Sequence, residues 1–166
     1  PVTRTHVKEE FGKKIKYIIE GGLSKIGLES TIINLTGKPE ILRIGSIDIN
    51  KLRKALKKKL LYRKKTYMKV PGQNRLHYSP GIPLRMNCKE ASLDEAFILV
   101  KKRNNSNKNF FYLSKNKNLK EAARNLYSVL RIIKKKGYKK IAVEKIENKG
   151  IGLAINDRLQ KASSKK

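Results

Sequence analysis

Apolar positions along the chain change period several times, and each change predicts an element. From His6 to Ile19, Val7, Phe11, Ile15 and Ile18 recur at three- and four-residue steps between Lys and Glu. That is a helical stripe, capped by Thr3 or Thr5 and stopped by Gly21-Gly22. Glu29 to Leu35 is rich in β-branched residues and predicts a strand. The turn Thr36-Gly37-Lys38-Pro39 joins it to a second strand, Glu40 to Ile44, as a hairpin. Asp48 to Leu60 predicts a helix, with Leu52, Leu56 and Leu60 on one face and lysines on the other. Tyr62 to Pro83 has no period and carries Pro71-Gly72, Pro80-Gly81 and Pro83, as a linker or a functional loop does.

A second patterned unit follows. Ala96–Val100 and Phe110–Leu113 predict strands around the polar loop Lys101–Asn109. Asn118 opens a helix to about Lys136, with Glu121 completing a partial capping box and Gly137 as the stop. Lys140–Ile146 predicts a strand and Ile151–Ala162 a last helix. Strand, strand, helix, strand, helix is the order of a small α/β layer unit. The predicted organisation is residues 1–60, 61–83 as linker, and 84–166 as the small α/β domain. The first piece has too little apolar surface to form a core alone and reads as the end of a larger domain.

Charge changes this picture less than its size suggests. The 166 residues hold 41 Lys and Arg against 13 Asp and Glu, a net +28. Such a balance points to a polyanion, including RNA. Only 10 of the basic residues are Arg, the residue of bidentate phosphate contacts, and abundant Lys, Asn and Ile also follow from A/T-rich coding. Charge alone therefore fixes no partner. One cysteine, Cys88, excludes an internal disulfide, and His6 and His77 lack metal-ligand spacing. No apolar run reaches the roughly 18 residues of a membrane span, and Pro1 to Arg4 does not open a signal peptide. A cytoplasmic location without membrane contact is expected. A chain opening on Pro1 is expected to be a fragment, a processed product or a trimmed form.

No phosphate-binding glycine loop, dinucleotide fingerprint, metal cluster or nucleophile triad is present, so no catalytic residue is assigned. Three segments could still carry chemistry. Gly27-Leu28-Glu29-Ser30-Thr31 sets two hydroxyls at a strand start, where a carboxylate or phosphate could be held. Ile41-Leu42-Arg43-Ile44-Gly45 sets one Arg in an apolar strand beside it. Val70 to Pro80 brackets His77 and Tyr78 between two proline corners. Taken singly, each reads first as ordinary strand residues, a surface or edge arginine, and a tethered linker.

Taken in order, they resemble the two-domain threonylcarbamoyl-AMP synthases. In that family a YrdC-like domain ends with G-V-E-S-T-V and L-R-P-G strands. A P-G-M-x-Y-x-H-Y-x-P linker and a small Rossmann-like C-terminal domain follow. Ala122-Ala123-Arg124-Asn125-Leu126 resembles the family's A-A-R-N-L-F helix, and Gly150 to Leu159 its G-L-G-x-A-x-x-N-R-L ending. The resemblance covers essentially the whole chain. It implies the C-terminal portion of such a synthase, with the larger, N-terminal part of the YrdC-like domain upstream of Pro1.

The implied reaction joins L-threonine, bicarbonate and ATP into threonylcarbamoyl-AMP with release of pyrophosphate, for tRNA threonylcarbamoyladenosine synthesis. That is a nucleotidyltransfer, with Mg2+ accompanying ATP as substrate, and this chain alone is expected to be inactive. Ser30 resembles the family's threonine-contacting serine, Arg43 its ATP-contacting arginine, and Tyr78 its nucleotide-contacting linker tyrosine, with His77 beside it. Ile44 stands where the family has Pro, which would loosen that corner. Gln73-Asn74-Arg75-Leu76 replaces M-x-Y-x and takes an aromatic from the loop. A non-enzymatic RNA-binding module and a decayed remnant of the synthase are the alternative readings.

Overall fold

A computed structural model describes residues 1–62, 70–72, 78–104 and 107–163. The predicted strands, hairpin and long helices are present, with shifted ends. The first helix, α1, runs only from Arg4 to Phe11, capped by the Thr3 hydroxyl, which accepts from the His6 amide at 3.2 Å. Gly12 takes φ +52°, one 3-10 turn (Gly12–Lys14) follows, and the helix expected to reach Ile19 ends there. The apolar stripe does not rescue it, because none of α1 is buried and Phe11 is 44% exposed. Helices this short draw their stability from packing, and this one has little.

Strand β1 (Ile32–Asn34) pairs antiparallel with β2 (Glu40–Arg43), as the hairpin pattern predicts. Its register slips between Ile32 and Ile33, so Ile32 faces Arg43 and Ile33 faces Ile41. Helix α2 (Ile49–Leu56) starts at the Asp48 cap and stops where Lys57 turns left-handed. Leu60 therefore leaves the helical face assigned to it and is buried under the hairpin with Ile41 and Ile44. Leu61–Tyr62, expected as the start of the linker, forms a short β3 parallel to β2.

The remaining strands form one parallel sheet in the order β4 (Leu84–Cys88), β7 (Ile141–Glu144), β5 (Ala96–Lys101), β6 (Phe110–Ser114). β4 was not expected, although its Leu-Arg-Met-Asn-Cys alternates apolar and polar residues, with Leu84 and Cys88 buried and Arg85 and Asn87 exposed. β5 is buried on both faces from Ala96 to Val100, as a central parallel strand is. Helix α3 (Leu119–Lys135) lays Ala122, Ala123, Leu126, Val129, Leu130 and Ile133 on one sheet face. Its Asn118 cap accepts from Lys120 and Glu121 amides. Helix α4 (Ile151–Ser163) adds Ile155, Leu159 and Ala162 to the same core. This is a mixed α/β molecule with a small Rossmann-like parallel layer.

The hairpin does not stand apart from it. Ala154 of α4 lies in the hairpin's own apolar cluster, and Leu28 packs against both clusters. At Gly27 the backbone is left-handed (φ +73°), and a Cβ there would lie 2.6 Å from the Arg124 Cα of α3. Only glycine permits that approach.

Candidate functional site

Ser30, Arg43 and Tyr78 come together. Arg43, at the end of β2, crosses to the segment before β1, where its Nε donates to the Ser30 carbonyl at 2.9 Å. Its Nη2 donates to the Ser30 hydroxyl at 3.1 Å, and its Nη1 to the Pro71 carbonyl at 3.0 Å. The guanidinium is thus a three-way clasp between hairpin and linker, its donors spread over three nitrogens of one rigid plane. Gly45 closes the same corner, because a Cβ on it would lie 2.2 Å from the Thr31 amide nitrogen. Its own amide donates to the Thr31 hydroxyl. Ile44, expected to loosen this corner, is buried under the hairpin at 5% exposure. Apolar packing holds there what a proline ring would hold by its fixed φ.

Gly72 carries the linker over the clasp with φ +85°, and a Cβ there would fall 2.2 Å from the Tyr78 hydroxyl and 3.5 Å from Arg43 Cδ. Tyr78 is buried. Its ring stacks on Tyr127 of α3 (centroids 5.8 Å apart, planes at 21°) and lies 5.0 Å from the Arg158 guanidinium carbon of α4. Burial, and secondarily the nearby Glu29 carboxylate, push its hydroxyl up to about 12 against the opposing charge of Arg158. Tyr78 is therefore a neutral phenol at physiological pH. His77, its expected neighbour in the site, lies outside the described residues.

Three residues complete the neighbourhood that the sequence motifs did not assign. Arg158 is 1% exposed, and its Nε donates to Glu29 Oε2 at 2.9 Å. The Tyr127 hydroxyl reaches both oxygens of the same carboxylate, at 3.4 and 3.3 Å. Burial by itself would raise the Glu29 carboxyl, but the Arg158 hydrogen bond and charge outweigh it and hold the group below its ordinary value. Burial raises the Tyr127 phenol, with Glu29 adding to it. Arg158 also pairs with Asp157, which in turn holds Lys161 at 2.8 Å. The available signal was an arginine inside the apolar stripe of α4, between Ile155 and Leu159. A charged residue is fully buried only when paired.

Among the described residues no three His, Cys, Asp or Glu side chains gather as metal ligands, and no helix is long and apolar enough to cross a membrane.

Comparisons with known proteins agree with the motifs. The family model described as threonylcarbamoyl-AMP synthase, C-terminal domain, matches residues 47–164, and one described as telomere recombination matches residues 1–45. A threonylcarbamoyl-AMP synthase of Pyrococcus abyssi is 32% identical over 98% of this chain and 54% of its own length. One of Schizosaccharomyces pombe is 29% identical over 99% of this chain and 49% of its own. The crystal structure of P. abyssi Sua5 complexed with L-threonine superposes with a TM-score of 0.83 at 30% identity, covering 98% of this chain and 54% of that one. A P. abyssi Sua5 variant with a histidine and a tyrosine changed to alanine gives 0.77 at 28% identity, over 98% of this chain and 53% of its own. The chain spans about half the length of these relatives. With a match running through both sheets and the Arg43 clasp, the chain belongs to the threonylcarbamoyl-AMP synthase family, through that family's C-terminal domain.

Proposed function

We propose that this chain supplies the threonine- and nucleotide-facing corner of a threonylcarbamoyl-AMP synthase. The observation that carries the reading is the Arg43 clasp, which puts a permanent cation, an exposed serine hydroxyl and the linker at one spot. The reaction would convert L-threonine and bicarbonate to a carbamate, whose oxygen attacks the α-phosphorus of ATP and expels pyrophosphate. Such nucleotidyl transfer needs positioning and charge neutralisation more than a protein nucleophile. The product would serve threonylcarbamoyladenosine synthesis on tRNA, in the cytoplasm.

In this reading Ser30 contacts threonine. Arg43 meets a phosphate once Pro71, a neutral acceptor, yields Nη1 to a charged one. Tyr78 offers the nucleotide a neutral hydroxyl rather than a base, with His77 beside it. Mg2+ would accompany ATP, held mostly by phosphates and water. Because the chain spans about half of its relatives, the reaction is proposed for the assembly that also contains the remainder of the YrdC-like domain. The 166 residues by themselves are expected to be inactive.

The test is threonine- and ATP-dependent pyrophosphate release by the complete gene product. Release that requires both substrates and bicarbonate supports the reading, and no release from the complete protein removes it. The net +28 favours one second reading, an RNA-binding surface. Affinity for tRNA would then fall by about 0.7 to 0.9 log units per log unit of salt for each phosphate neutralised.

A further inference from the structure

Arg158 does something that ordinary packing of α4 does not require. Its guanidinium is buried at 1% exposure, where an unpaired charge is costly, and Asp157 of the same helix is only one of its partners. Its other contacts reach away from α4. One edge meets Glu29, the residue before Ser30, and its carbon lies 5.0 Å from the centroid of the Tyr78 ring. The contacts close into a ring of residues. Arg158 holds Glu29; Ser30 follows Glu29 in the chain and holds Arg43; Arg43 holds Pro71. Gly72 then lies against Tyr78, and Tyr78 lies back over Arg158. Tyr127 braces the ring from α3, stacking on Tyr78 while its hydroxyl reaches Glu29.

We propose that Arg158 is a positioning residue for the ligand corner. From the second domain it holds the Ser30 segment and Tyr78 in register with each other. This rests on the function proposed above. Losing Arg158 would leave Ser30, Arg43 and Tyr78 in the chain but no longer registered to one another. Misplacement of about 1 Å at a reacting centre costs on the order of a hundredfold in rate.

The experiment uses the complete gene product and the variants Arg158→Met, Arg158→Lys and Tyr127→Phe, alone and combined with Tyr78→Ala. Arg158→Met should raise KM for threonine and lower kcat, together reducing kcat/KM by about a hundredfold. Arg158→Lys keeps the charge, guards against a folding failure, and should recover only part. In the Tyr78→Ala background Arg158→Met should cost less than tenfold, because the ring is already open. A full and independent loss in that background, tracking only a lower Tm, would overturn the proposal. A second readout needs no turnover. With fluorotyrosine incorporated, the 19F resonance assigned to Tyr78 through Tyr78→Phe should move in Arg158→Met, and an unmoved resonance would overturn the proposal. Failure of the unsubstituted protein to release pyrophosphate would remove the synthase reading instead, and the fluorine shift would still decide whether Arg158 positions Tyr78.

Discussion

At the residue scale the corner depends on geometry more than on charge. Arg43 spends all three guanidinium nitrogens on three acceptors. Arg43→Lys retains the charge and loses the fork, and charge-assisted hydrogen bonds contribute about 1.5–3 kcal/mol each. A fall in kcat/KM of roughly ten- to a hundredfold is therefore expected in pyrophosphate release. Steady-state kinetics with a circular-dichroism check of folding reads it, and wild-type kinetics would remove Arg43 from the site. Ser30, Arg43 and Tyr78 were legible because local motifs carry them. Glu29, Tyr127 and Arg158 were not assigned, since their bonds join residues 98 and 129 positions apart, and no local period encodes such a pairing.

At the scale of elements, turn and loop chemistry decided where the sequence reading failed. Gly12 ended α1 early, Lys57 ended α2 before Leu60, and β4 alternates over only five residues directly after a proline-rich segment. The long buried stripe of α3 and the continuous apolar run of β5 left no such freedom, and both were legible. Two predictions belong here. Gly27→Ala puts a Cβ 2.6 Å from the α3 backbone at a left-handed position, so it should destabilise by about 1–3 kcal/mol. The melting temperature should drop by roughly 3–10 °C, and calorimetry that finds no drop would refute the close approach.

The second concerns the connection from β4 to β5. Arg85 of β4 grips both oxygens of the buried Glu95, just before β5, at 2.9 and 2.6 Å. The Arg85 hydrogen bond, with help from Ser92, holds this carboxyl down at about 2 against the opposing effect of burial. A carboxyl depressed on folding stabilises above its unfolded value, and that stabilisation disappears as pH falls through the folded one. Glu95 should thus contribute fully above about pH 4.5 and progressively less down to about pH 2. Acid titration of stability should show a shallower fall over that window in Glu95→Gln. An identical slope would contradict the assignment.

On the scale of the whole molecule, the two sheets share material. Ala154 of α4 sits in the hairpin cluster, Leu28 touches both cores, and Arg131 and Lys135 of α3 reach Glu10 and Glu9 of α1 at 2.6 and 2.5 Å. Those ion pairs are exposed enough to contribute little, roughly 0–1 kcal/mol each. Leu28, Gly27 and the Glu29–Arg158 pair hold the halves together. Unfolding followed by far-ultraviolet dichroism and by tyrosine fluorescence should coincide in a single transition, and two separated transitions would contradict a shared core. The charge of +28 proved a poor guide to this arrangement, because the cations that build the corner are one buried and one half-buried arginine.

The central claim is that a threonine-binding corner is built around Ser30 and clasped by Arg43. Calorimetric titration of L-threonine into the complete gene product tests it most directly, with Ser30→Ala and Arg43→Lys alongside. Saturable one-site binding, weakened about tenfold or more in both variants, is the expected result. Absence of binding to the unsubstituted protein, or equal binding by all three, would contradict it.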